Sequence, residues 1–483
     1  MSSEHPLVED HSNPVDHSAS VNGEPSNGAF PHRPPLNRRN AQRTATLDSN
    51  YYTGRFTLGR AATLLFTPPK RVAPAPGVLR SLRTLFFGPP FEPTWTVWGL
   101  NLLLVFVPLM FAYRFGKGNP SAEVFAFAFL GLLPVAKMFG TAMEDLALRV
   151  GESLGRFIRI LGGNSIELIS GIIAITQCQL EVLQASLVGS ILINILLVLG
   201  SAFFFGGVKF SELGYGSGNA SSSGHMLMLA IIAAMLPTLF AVSFGGSTLT
   251  EIDETRLSIL KISRGVSITL VMCYFLFCFF QLFSHETVFL KDSPDVYKST
   301  KYAPREKKKS LTDLIVGCVA CALIIAISEY LVSSLSALTL QTSITKQWVG
   351  LILIPLAGTF ARHDLLEAIR YGMKDQMTDS LALSMGSSVN LSSLIQPLLI
   401  IIAWGLKKNL SLLYDPFETL VIFFFIACSD FNCLPVLMVN LYLIRGKGDF
   451  LTGATLIVLY ILIAISFWYY TGTHVFSNLI LAC

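Results

Sequence analysis

Glu167 lies in the run Gly163-Asn164-Ser165-Ile166-Glu167-Leu168, among apolar residues and with no Lys or Arg within a turn or two to neutralise it. A carboxylate near the centre of a bilayer costs about 2.5–3.5 kcal/mol on insertion scales, so its presence there calls for a chemical reason. Asn164, three residues back, falls on the same face of a helix. Ser186, Ser190 and Asn194 follow at four-residue spacing and form a second oxygen-bearing stripe. Small residues such as Gly163 and Gly189 are expected to allow close helix approach and local unwinding, which exposes backbone carbonyls. Carboxylate, amide, hydroxyl and carbonyl oxygens are the ligands that a hard cation such as Ca²⁺ prefers. A carboxylate so placed holds a cation or a proton but hardly both, and that competition suffices to couple two fluxes.

The pattern occurs twice. The second copy reads Gly358-Thr359-Phe360-Ala361-Arg362-His363-Asp364, then a polar turn around Lys374–Gln376, then a helix carrying Gly386, Ser387 and Ser388. In the first copy the turn is Gln177–Gln179. Glu167 lies 22 positions before Gly189, and Asp364 lies 22 positions before Gly386. Gly163 and Gly358 stand 26 and 28 positions before those anchors, as a two-residue insertion before Asp364 would produce. Asp364 is therefore expected to be the second acid. Two residues turn about 200° around a helix, so Arg362 is expected to point away from the cation. Were Arg362 in the site instead, it would repel a divalent ion by roughly 8 kcal/mol at 4 Å and an effective dielectric of 20. The expected metal ligands are Glu167 and Asp364, with Asn164, Gly163, Ser186, Ser190, Thr359, Ser387 and Ser388 completing the cation and proton site. Glu329, in AISEYLVSS, and His363 are pathway candidates; for Glu329 a structural role fits equally well.

The elements that must position these residues are membrane spans. Of 483 residues, 52% are hydrophobic and 14% charged, against roughly 45–50% and 25% in soluble domains. Apolar runs near 95–113, 123–140, 160–176, 182–206, 226–244, 264–283, 311–332, 347–361, 379–403, 418–443 and 451–470 predict about 11 transmembrane helices in an all-α membrane protein. Residues 1–94, rich in Ser, Pro, Asn and Arg, read as a disordered cytosolic tail with no cleavable signal. Residues 95–283 hold a leading helix plus a first five-helix repeat, 284–310 a basic cytosolic loop, and 311–483 a second five-helix repeat. An odd set of five inverts the second copy relative to the first, with the site at the interface of the repeats. The Arg and Lys of 141–159 and 284–310 put those connections and the N-terminus in the cytosol and the C-terminus in the lumen. The connection 245–263, with Arg256 and Lys261, is the exception on the lumenal side.

A net charge of +4 spread over loops excludes a nucleic-acid groove. Cys318-Val-Ala-Cys321 lies inside an apolar span with no second pair, so packing is the expected role. No phosphate-binding loop, HExxH or nucleophile elbow is present, and the chain reads as no enzyme, with no cofactor beyond the transported ions.

At these residues the chain resembles the cation/proton exchanger (CAX) branch of the calcium/cation antiporters, the vacuolar Ca²⁺/H⁺ exchangers of fungi and plants. The likeness covers about 95 to 470 and includes Met143-Glu144-Asp145-Leu146-Ala147, GNSIELISGIIAI, Leu260–His285, Ser328-Glu329-Tyr330-Leu331-Val332, GLILIPLAG, MGSS and DPFETLVIF. It implies an eleven-span fold in which two motif glutamates bind the cation near midmembrane and exchange it for protons by alternating access. The first motif matches at Gly163, Asn164 and Glu167. The second departs: where the family reads GNAAEH this chain has GTFARH, with Thr359 in place of Asn and Arg362 in place of Glu. Residues 426–435, IACSDFNCLP, look like an insertion into the tenth span, and 285–310 is basic where the family is often acidic. The resemblance implies exchange of Ca²⁺, or of Mn²⁺ or another divalent cation, for H⁺ across the vacuolar or another endomembrane. A transport-impaired paralog with a regulatory or scaffolding role and a cation channel are the alternatives.

Overall fold

The computed structural model describes residues 101–118, 120–150, 152–244, 249–281, 311–342, 344–415, 417–419, 421 and 447–470. The expected tail at 1–94, the start of the first span, the 284–310 loop, most of the tenth span with the 426–435 insertion, and 471–483 lie outside these residues.

The described chain is nearly all helical: α1 Phe106–Lys117, α2 Ala122–Val150, α3 Glu152–Gly163, α4 Ser165–Thr176, α5 Leu180–Lys209, α6 Ser217–Phe244, α7 Leu249–Phe279, α8 Leu311–Gln341, α9 Lys346–Arg362, α10 Asp364–Met373, α11 Met377–Gly405 and α12 Phe450–Trp468. A two-residue ribbon pairs β1 Leu213–Gly214 with β2 Lys447–Gly448, antiparallel. Seven helices among the described residues are long and apolar enough to cross a membrane, and eight if the bent pair α9 and α10 is one span. The expected third span is two short helices, α3 and α4, meeting at Asn164. The lumenal connection expected at 245–263 is corrected: Leu249–Phe279 is one helix, so Arg256 and Lys261 ride on the extension of a span.

Outer helices display apolar side chains where a soluble protein would place charges. Leu229, Ile232, Leu236 and Leu239 recur three or four apart on α6, and Val458, Ile461, Leu462 and Ile465 do the same on α12; all are exposed. An apolar surface of that extent fits lipid rather than water. Helix α5 is the opposite case, with 89% of its most apolar window buried, against 33% for α12. Polar α5 residues such as Ser190 and Asn194 are thereby enclosed by protein. Cys318 is exposed on α8 and Cys321 half-buried, both free.

Two of the inner helices run antiparallel. Gln184 Nε2 near the start of α5 donates to Ser411 O just past the end of α11 (2.7 Å), and Lys408 Nζ reaches Cys178 Sγ (3.2 Å). At the other end, Lys209 Nζ closes on Met373 O (2.8 Å), and Gly216 N donates to Thr378 Oγ1 at the start of α11 (3.0 Å). The segments also match in local form at a shift of 197 residues. Helices end at Thr176 and Met373, positive φ follows at Cys178 and Asp375, and new helices start at Leu180 and Met377. Each then widens into a π-helical stretch, Ile193–Val198 and Leu391–Ile395. The same shift carries Glu167 onto Asp364.

Helix α12 is closed at its N-terminus by Asp449, whose Oδ1 accepts from Thr452 N and Thr452 Oγ1 (2.8 Å each). The backbone N–H of Thr452 foremost holds this carboxyl below the usual range. Asp449→Ala is expected to lower stability by about 1 kcal/mol, read as a drop in melting temperature of the detergent-solubilised protein. Because the native value is lowered, that difference is full above the unfolded value of about 3.9 and fades as the pH falls through the native one. An Asp449→Ala protein that melts with the wild type at pH 7 would remove the cap from this account.

Candidate functional site

Each half carries a broken helix at the site. Between α3 and α4 the break is Asn164, at φ −115° and ψ 20°. Between α9 and α10 it is His363, a non-glycine residue in the left-handed region at φ 61° and ψ 13°, and the two helices bend by 60° there. Glu167 opens α4 and Asp364 opens α10, so both acids stand in the first turn after a break. Helix N-termini favour negative charge, which lowers the cost of keeping these carboxylates inside the protein.

The expected direction of Arg362 is corrected by the structure. Its Nη1 donates to Glu167 Oε1, and its Nε donates to Asp364 Oδ2 at 2.8 Å. The 200° argument assumes one continuous helix from 362 to 364, and the left-handed turn at His363 breaks it. The guanidinium consequently lies between the two acids. All three side chains are enclosed, at 10% exposure for Arg362, 11% for Glu167 and 12% for Asp364. Two carboxylates and one guanidinium leave the group with a single net negative charge.

Around this triad the oxygen stripes meet from opposite halves. Asn194 Nδ2 donates to Ser387 Oγ (3.2 Å), which donates to Asn164 Oδ1 (3.3 Å); Ser384 Oγ donates to the Asn194 carbonyl. Among the buried oxygens of the described residues that have no hydrogen-bond partner are three from these motifs and stripes: Glu167 Oε2, Asn194 Oδ1 and Thr359 Oγ1. Such atoms cost about 1–3 kcal/mol each when left unpaired, so their presence argues for a ligand, a proton or water. The mirror of the Asn164–Ser387 bond would join Thr359 to Ser190. Thr359 is shorter than the asparagine it replaces, and its hydroxyl is unpaired.

Other expected site residues are placed differently. Asn164 sits at the break rather than on a helical face shared with Glu167, and its Nδ2 turns back to Ile160 O (3.4 Å). Ser186 and Ser388 spend their hydroxyls on Leu183 O (2.9 Å) and Ser384 O (3.0 Å) within their own helices. Gly163 is exposed, with open space where a side chain would be, so it mediates no close approach. Gly189 does, against Leu351, and a side chain on Gly358 would come within 3.2 Å of Glu167 Oε1. His363 contributes its backbone, as the break itself. Glu329 is exposed on α8, and its carbonyl accepts from Gln177 Nε2 (3.3 Å) beside the turn that follows α4, away from the enclosed triad. Among the described residues no three metal-binding acids, histidines or cysteines cluster, so the two carboxylates are the only anionic ligands a cargo ion finds here.

Buried acids at two broken helices that meet in the interior of a bundle with an apolar outer surface define a membrane transporter of the secondary type. The chain belongs to the sodium/calcium exchanger protein family, whose profile matches residues 121–283 and 313–469. It is 31% identical to a vacuolar calcium ion transporter of Cryptococcus neoformans var. grubii, over 86% of this chain and 79% of that one. It is also 31% identical to a Ca²⁺/H⁺ antiporter of Synechocystis, over 76% of this chain and 96% of the other. Among solved structures, native YfkE superposes with a TM-score of 0.60 at 25% identity, covering 77% of this chain and 99% of YfkE.

Proposed function

We propose that this protein exchanges a cation for protons across a vacuolar or related endomembrane by alternating access. The observation that carries the reading is the pair Glu167 and Asp364, enclosed where the two halves meet, with Glu167 Oε2 unpaired. The carboxylates hold either cargo or a proton, and in this reading the site opens to each membrane face in turn. The names of the relatives make Ca²⁺ the first cargo to test. The complete architecture in this proposal has eleven spans, a leader and two inverted sets of five, with the N-terminus cytosolic and the C-terminus lumenal.

Reconstitution into proteoliposomes acidified inside is the test. Ca²⁺ uptake that requires the pH gradient and raises the internal pH is the expected result. Flux that persists without a gradient would indicate a channel, and no flux of any cation a scaffolding paralog.

A further inference from the structure

We propose that Arg362 is an internal competitor of the cargo: it occupies the carboxylates a divalent cation needs, and so shifts the preference of this exchanger from doubly toward singly charged cations. The inference rests on the exchanger reading above. Its evidence is the position of the guanidinium, which bonds one oxygen of Glu167 and one of Asp364 inside the protein.

Without Arg362, Glu167 and Asp364 carry two negative charges, which two protons or one divalent ion neutralise. With Arg362 in place, one net negative charge remains, which matches one proton or one singly charged cation. Glu167 Oε2 and Asn194 Oδ1 are still unpaired, so acceptor oxygens remain for a small cation while the guanidinium stays. A divalent ion meets twice the repulsion from Arg362 that a monovalent ion meets at the same distance, because Coulomb energy scales with the product of charges. To bind both acids it must displace the arginine, whose bonds to them are then lost. The bend at His363 fixes Arg362 as the last residue of α9, so the competitor is tethered beside the site throughout the cycle.

Full-length wild type, Arg362→Gln and Arg362→Met are reconstituted, and the apparent KM of proton-coupled flux is measured for Ca²⁺ and for K⁺. Both substitutions are expected to lower the KM for Ca²⁺ by about tenfold or more while changing the KM for K⁺ less. Met keeps the apolar stem of the arginine and carries no polar group into the interior, so it covers the case in which Gln does not insert. A KM for Ca²⁺ that is unchanged or raised in an active variant overturns the inference and leaves the exchanger reading standing. In wild type alone, a preference for Ca²⁺ over K⁺ of about a hundredfold or more overturns it as well. Absence of proton-coupled flux for both cations in all three proteins overturns the exchanger reading, and the inference with it.

Discussion

Glu167→Gln is expected to reduce pH-driven cation uptake by roughly a thousandfold, the equivalent of one charge pair of about 4 kcal/mol at 4 Å and an effective dielectric of 20. The substitution keeps the shape of the side chain and its ability to accept from Arg362. Asp364 still pairs with the guanidinium at 2.8 Å, so the arginine is not stranded and the protein should insert and purify as the wild type does. What is lost is a carboxylate that keeps an unpaired buried oxygen beside the guanidinium. The measurement is uptake into acidified proteoliposomes beside a melting curve of the same preparation. Uptake at wild-type rates would remove Glu167 from the chemistry.

The second large effect concerns folding. A methyl group on Gly189 would stand 1.9 Å from Leu351 O and 2.6 Å from Leu351 C, backbone atoms that no rotamer change can move. Helix α5 is the most enclosed of the spanning helices, so it has little room to retreat. Gly189→Ala should cost about 3 kcal/mol, the upper end for overpacking, and Gly189→Leu should leave little monodisperse protein. Its counterpart Gly386 has nothing within 4 Å of the same position, and Gly386→Ala should purify and melt as the wild type does. Equal melting temperatures for the two alanine variants would contradict this asymmetry.

Periodicity and composition made legible the seven spans that the described residues contain, the doubled motif and its register. The 22-residue spacing that aligns Asp364 with Glu167 reappears as matching helix ends, positive-φ residues and π-helical stretches, because these features are local and follow the chain. The direction of Arg362 was illegible for the converse reason. Angular arguments along a helix hold only while the helix continues, and a histidine in left-handed conformation gives no warning of the kind a glycine would. The two members of the first motif likewise separate at a break, with Asn164 in the hinge and Glu167 beyond it. Serine stripes are weak pointers to a site because a helical hydroxyl can donate to its own backbone, as those of Ser186 and Ser388 do, which leaves only the oxygen lone pairs for a ligand. Glycine spacing could not distinguish Gly189, lodged against a carbonyl, from Gly163 in open space; that difference belongs to the neighbouring helix.

The ion pair between Glu167 and Arg362 joins residues 195 positions apart in the chain. A ribosome adding about 5–20 residues per second delivers the arginine roughly 10–40 s after the glutamate. Throughout that interval the nascent first half carries an acid whose eventual counter-charge has not been made, and a helix, α5, whose Gly189 surface awaits Leu351. A chain that stops short of residue 362 lacks this ion pair. The pair is thus a contact by which the second half closes on the first, and it becomes available only once synthesis has passed residue 362.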